Sequence, residues 1–327
     1  ILVFLPLILL AGYRAAFQGG IGDTGLYCIM FNDYPNTVSE ALNSADTNDK
    51  MYGWEIFSVF IKQYITQDYR YWLLIIASIQ GVCLLLTFRR YSTDISLIGF
   101  LFFASTDFIS WMMNGIRQFL VVSIIFLLFP LVQKRKVWSI ALFILVVIEL
   151  SKIHSSCILV ILLYLFSLGK PFNKSTIFVL ICCVLSVVFL GQFTDILGSA
   201  LETTDYSGVT TYMQTDNGTN PLRVIVYSIP AILAIIFRKK IFDDAPDIIN
   251  ISVNMSLISM GIYIVSIFTS GIFIGRIPIY FSLFSYILLP WELRRIFPKD
   301  KFTTVLIILV AFYMVFFLFQ LKQWNFW

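Results

Sequence analysis

Arg14, Arg117, Lys152, Arg223 and Arg276 stand at the ends of apolar runs, where a guanidinium can grip a phosphate through two parallel hydrogen bonds. Arg117 lies in Asn114-Gly-Ile-Arg-Gln118 at the start of an apolar stretch, so helix N-terminal amides would add partial positive charge. Gln118 sits one residue deeper, as a second polar contact for a substrate. Arg276 follows Gly271-Ile-Phe-Ile-Gly275 and precedes Pro278 and Tyr280, with the proline suited to a first helical turn. Arg223, two residues after Pro221, repeats the pattern. Arg14 begins a glycine-rich loop that runs through Gly19, Gly20, Gly22, Asp23 and Thr24 to Tyr27 and Phe31. Such glycines permit tight turning, and their amides can form an anion-binding nest. Asp23 and Thr24 are expected to cap the following helix. For each arginine the competing reading is an interfacial side chain reaching for lipid headgroups. The glycine pattern is neither a Walker loop nor a dinucleotide fingerprint.

His154 is the single histidine of the chain, in Glu149-Leu-Ser-Lys152-Ile-His154. An imidazole, with an ordinary pKa of about 6.5, suits a general base acting on a hydroxyl. Asp23 is the competing proton acceptor, and a purely structural histidine at a helix end is the alternative. No metal and no cofactor is expected, because one histidine without clustered cysteines or carboxylates does not build a usual site. Glu149 is expected to pair with Lys152 or another cation. The five cysteines show no paired spacing and read as small apolar side chains.

These groups must be positioned by a membrane scaffold. The 327 residues are 59% hydrophobic and 13% charged, with a mean hydropathy of +0.86, which is the composition of an integral membrane protein. Apolar runs predict an all-α fold of about eleven passes, near 1–13, 71–88, 95–113, 116–132, 137–150, 153–168, 177–193, 222–237, 249–270, 277–292 and 303–321. Alternate connections carry 14 of the 23 lysines and arginines, so that side is cytoplasmic. The other side holds two long outer loops, about 14–70 and 194–221, and 13 of the 19 acids. Neither loop is apolar enough for a core of its own, so residues 1–327 read as one polytopic domain. The chain opens inside an apolar run without an initiator methionine, so further residues are expected upstream. The run 1–13 lacks the flanks of a signal peptide.

Several passes are short or broken. Two runs of 14–16 residues flank the His154 turn, and the pair 95–132 carries Asp107, Asn114 and Arg117 near its own turn. Both turns are expected to point polar tips into an outward-facing cavity. Residues 53–66, with Trp54, are expected to lie along the outer interface with their charges opposite the apolar face. Asp46, Asp49 and the polar segments 36–48 and 203–220 read as loops over the cavity, with Trp54 and tyrosines suited to sugars.

The order of these motifs resembles the bacterial O-antigen and exopolysaccharide repeat-unit polymerases of the Wzy type, and within them the EpsG-like branch. There an arginine precedes a Gly-Thr-Asp-like loop with a following tyrosine and phenylalanine, matched by Arg14, Gly22, Asp23, Thr24, Tyr27 and Phe31. This chain reads Gly-Asp-Thr. An Ile-Arg-Gln before a small-residue helix is matched by Ile116, Arg117 and Gln118. A short hairpin with a histidine near its turn is matched by His154, although Glu-Leu-Ser-Lys stands where the branch more often has small residues. A late arginine with a following tyrosine is matched by Arg276 and Tyr280.

The resemblance implies a membrane glycosyltransferase of the C-type (GT-C-like) superfamily in the bacterial inner membrane. Its partners would be undecaprenyl-diphosphate-linked oligosaccharide donor and acceptor and membrane lipids, with a chain-length regulator as a further candidate and no nucleic acid. Arg117 and Arg276, with Arg14 or Arg223, would hold the diphosphates at the extracytoplasmic face. His154 or Asp23 would take the acceptor proton, and Gln118, Lys152, Tyr27, Tyr280 and Trp54 would line the substrate. The alternatives are a transporter or flippase for a lipid-linked or anionic solute and a membrane-bound acyltransferase.

Overall fold

A computed structural model describes residues 3–17, 20–44, 51–92, 94–201 and 217–324. Among them all regular structure is helical, as backbone groups immersed in lipid require. The chain forms two compact units, Ile1–Ile161 with Ala311–Trp327, and Leu162–Val310.

The first unit contains α1 (Phe4–Gly12), α2 (Thr24–Asp33), α3 (Val38–Ser44), α4 (Tyr52–Tyr64) and α5 (Tyr69–Tyr91). α6 (Ile95–Ala104), a π-helix (Phe108–Asn114), α7 (Ile116–Gln133) and α8 (Val137–Ser151) follow. α5 and α7 are long and apolar enough to cross a membrane. α6 and the π-helix are bent by 80° at residues 105–107, where buried Thr106 adopts φ 74°. A β-branched residue in the left-handed region is strained, so this bend is imposed by its surroundings. Asp68 starts α5 by accepting from the Arg70 amide at 2.8 Å. α1 packs on α5, with Phe4 stacked 6.0 Å from Phe88.

The second unit begins within α9 (Ile158–Ser167) and continues through α10 (Lys174–Val188), α11 (Leu190–Leu201), α12 (Pro221–Ile236), α13 (Arg238–Ile241) and α14 (Asp247–Ile267). α15 (Ile279–Ser282) and α16 (Ser285–Ile296) complete it before α17 (Phe302–Gln323), whose residues from Ala311 onward belong to the first unit. α14 is the central apolar helix. Its Asn254 accepts from the Phe172 amide at 2.8 Å and donates to the Ser167 and Lys170 carbonyls. One amide thereby fastens the α9–α10 turn to α14. α10 and α11 are bent by 105°, and Ile274–Ser282 and Ser285–Ile296 by 57°.

Among the described residues four helices are long and apolar enough to span, or up to seven if each bent pair is one span. The remaining expected passes fall on shorter apolar helices: α8, Ser155–Ser167, α12 and the nine-residue α1. α4 is amphipathic, as expected, but Lys62 departs from its expected outward position. It is 7% exposed, and its ammonium donates to the carbonyls of Asn32 and Tyr34 at 2.8 and 2.5 Å. The unsatisfied carbonyls at the end of α2 give the cation a reason to turn inward.

Candidate functional site

In the first unit the structure brings the glycine-rich loop onto the junction between the π-helix and α7. Arg14 Nε donates to Thr24 Oγ1 at 3.0 Å, and its Nη1 donates to the Ala11 carbonyl at the end of α1. The other terminal nitrogen, Nη2, is buried without a hydrogen-bond partner among the described residues. Burial pushes Arg14 down to about 10, opposed by the field of Cys28. The group therefore keeps its charge near neutral pH and holds one unmet donor.

Thr24 Oγ1 also lies 2.7 Å from the Ile21 carbonyl and 3.0 Å from that of Met113. Next to it, the Asp23 amide donates to Asn114 Oδ1 at 3.2 Å. Gly22 makes that approach possible: its φ is +53°, and a Cβ there would overlap the Asn114 side chain. Asp23 occupies the position before α2 without capping it through its side chain, which corrects the expected cap. Its backbone is used instead, and its carboxylate is exposed. Arg117 follows three residues after Asn114 on the first turn of α7, half-buried, and Gln118 is buried beside it.

A buried cluster holds this locus together. Ala16, Cys28, Phe31, Trp54, Trp72 and Ile116 pack in it, with Tyr27 and Ile153 against its edge. Ile153 ties in the His154 turn, and the Gly53 amide donates to the Lys152 carbonyl at 2.9 Å. A Cβ at Gly53 would fall 2.6 Å from that carbonyl carbon, so α4 meets the turn backbone to backbone. His154 is half-buried and extended before the short helix Ser155–Cys157, with Nδ1 2.9 Å from Ser156 Oγ. Lys152 and Glu149 pair at 2.7 Å on the surface. That hydrogen bond raises the Lys152 pKa.

Trp54 is wholly buried, 5.7 Å from the ring of Tyr27 and 5.5 Å from that of Trp72. Its aromatic faces serve packing, and none lies open for a sugar. Asp107 is likewise 1% exposed, with Oδ1 accepting from Trp111 Nε1 at 3.2 Å. It lies inside the helix packing, whereas the sequence reading put it on a polar tip. Thr24 was expected as part of a helix cap and Asn114 as part of a polar turn; instead their side chains tie the glycine loop to the π-helix.

In the second unit the segments around Arg223 and Arg276 are joined. The Thr219 amide donates to the Ser266 carbonyl at 3.0 Å, and Ser266 Oγ donates to Thr219 Oγ1 at 2.8 Å. Gly275 packs so closely on Thr219 that a Cβ would overlap its hydroxyl. Arg276, exposed, is the next residue. Asn220 caps α12 through the Leu222 amide at 2.9 Å. Arg223, one turn along, stacks 5.1 Å from the Tyr227 ring and donates to its hydroxyl at 3.1 Å. Tyr280 is buried, and its carbonyl accepts from Tyr164 Oη at 2.9 Å. Of the four arginines expected at the site, Arg14 and Arg117 lie in the first unit and Arg223 and Arg276 in the second. Gly19, Asp46, Asp49 and 203–216 lie outside the described residues.

The model of the EpsG family matches residues 1–326. No curated protein and no solved structure matches the chain.

Proposed function

The chain belongs to the EpsG family, and from that membership we propose that it is a membrane glycosyltransferase that polymerises lipid-linked oligosaccharide repeat units. Membership points to exopolysaccharide polymerisation, and the apolar helices to a membrane protein. The finer reading is that donor and acceptor are carried on undecaprenyl diphosphate and meet at the outer face of the bacterial inner membrane.

In this reading an acceptor hydroxyl attacks C1 of the donor glycan. The bond from C1 to the phosphate oxygen breaks, and undecaprenyl diphosphate departs with the electron pair. His154 takes the hydroxyl proton, with Asp23 as the competing acceptor. Negative charge grows on the leaving diphosphate, so donors aimed at it lower the barrier. Arg117 and Arg14 serve this role in the first unit, and Arg223 and Arg276 hold diphosphate in the second.

The observation that carries the reading is the Nη2 donor of Arg14, unmet among the described residues, beside Thr24 at the locus that Asn114 ties to the end of the π-helix. A buried cationic donor without a partner is costly, and an anionic ligand removes that cost. The three bent helix pairs also suit a flippase. Purified protein supplied with lipid-linked repeat units separates the two: a ladder of longer glycans means polymerisation, and transfer across the bilayer without new bonds means flipping.

A further inference from the structure

Asp107 lies where an acid is expensive. It follows the ten-residue apolar helix α6 and is 1% exposed. A buried ionisable side chain among apolar helices is costly and points to a role. Asp107 Oδ1 accepts from Trp111 Nε1. The Trp111 indole lies over Gly115, where a Cβ would stand 3.0 Å from Cε3 and 3.4 Å from Cζ3. The Gly115 amide closes the π-helix onto the Ser110 carbonyl at 3.1 Å, and its own carbonyl accepts from Phe119 in the first turn of α7. A single residue is therefore the hinge between the two helices, and the indole is the wedge that sets its angle. On either side of the hinge stand Asn114, bonded to the Asp23 amide, and Arg117. Strain is stored next to the acid, at Thr106 with φ 74°, and Thr106 Oγ1 is buried without a hydrogen-bond partner among the described residues. π-Helices and such backbone outliers gather at functional sites.

We propose that Asp107 is a positioning residue: acting through the Trp111 indole, it sets the π-helix–α7 junction that presents Asn114 and Arg117 to the Arg14–Asp23 locus. Its consequence for turnover rests on the polymerase reading, and its effect on geometry does not. Displacement of a clamp by about 1 Å can lower a rate by about a hundredfold.

The test uses the full chain in lipid nanodiscs with two readouts. In the first, cysteines replace Asp23 and Asn114, and the rate of their disulfide cross-link is followed by mass spectrometry in otherwise native, Asp107→Ala, Asp107→Asn and Trp111→Phe backgrounds. Asp107→Ala and Trp111→Phe should slow the cross-link at least tenfold. Asp107→Asn, which keeps the acceptor oxygen, should restore it to within about threefold. The second readout is turnover without the added cysteines, where Asp107→Ala should lower kcat with little change in KM and Asp107→Asn should recover it. An unchanged cross-link in both Asp107→Ala and Trp111→Phe, or equal slowing in Asp107→Asn and Asp107→Ala, overturns the inference. A slowed, rescued cross-link with unchanged turnover upholds the junction and contradicts the role given to Arg117.

Discussion

Arg14 Nε donates to Thr24 Oγ1 at 3.0 Å, and that one hydroxyl also reaches the Met113 carbonyl at 3.0 Å, 89 residues along the chain. Thr24 is thus the joint between the loop that carries Asp23 and the π-helix that leads into the Arg117 helix. Thr24→Val keeps the shape and removes the oxygen, leaving a charged donor and a buried carbonyl unmet. The expected loss is about 1.5–3 kcal/mol, read as a lower unfolding temperature of the purified protein, with Thr24→Ser close to native. Equal stability of the Val and native proteins would contradict the joint.

Gly22 and Asn114 should behave as a coupled pair. Gly22→Ala forces a Cβ into the Asn114 amide and places it at a φ of +53°. The left-handed conformation alone costs about 1–2 kcal/mol, and the overlap adds to it. Asn114→Ala removes the overlap and leaves the backbone cost. A double-mutant cycle should therefore give a coupling of about 0.5–3 kcal/mol, with the double variant more stable than the sum of the singles. Strict additivity would show that the two residues do not meet.

Much of the scaffold was legible because lipid leaves a chain few choices. Apolar runs predicted the helices, and the glycine loop, the Arg117 turn and the His154 turn were singled out for their polar residues. What stayed hidden arose from tertiary contacts. The residues Phe108–Asn114 read as ordinary helix, and only the Trp111–Gly115 packing and the strained Thr106 reveal a π-helix after a bend of 80°. Lys62 looked like the polar face of an interfacial helix, because the carbonyls that draw it inward are 28 and 30 residues away in the chain. Trp54 looked like a sugar platform for want of knowing that Tyr27 and Trp72 cover it.

Arg117→Lys should fail as a substitute. Lysine keeps the charge but not the planar fork, so one of the donors to the leaving diphosphate is lost. By analogy with oxyanion donors, kcat should fall by about 10²–10³, with native unfolding temperature. Turnover within threefold of native would remove Arg117 from the proposed clamp.

Cys28 should be a poor nucleophile although it lies near a cation. Burial pushes its thiol up to about 11 against the opposing pull of Arg14. At pH 8 the thiolate is then about one part in a thousand. N-ethylmaleimide should spare Cys28 in the folded protein at pH 8 and modify it after denaturation. Labelling of Cys28 should rise about tenfold per pH unit as its thiolate fraction grows, levelling off near pH 11. Equally fast labelling of Cys28 in the folded and denatured protein at pH 8 would show that Cys28 and Arg14 are not packed as described.

The most direct measurement is glycan length after purified protein, reconstituted in lipid, is incubated with undecaprenyl-diphosphate-linked repeat units. Native protein should yield a ladder of glycans longer by whole repeats, and the Arg117→Ala and His154→Ala proteins should yield almost none. If native protein leaves every repeat unit at its original length, or if both variants extend them as far as native protein does, the account is contradicted.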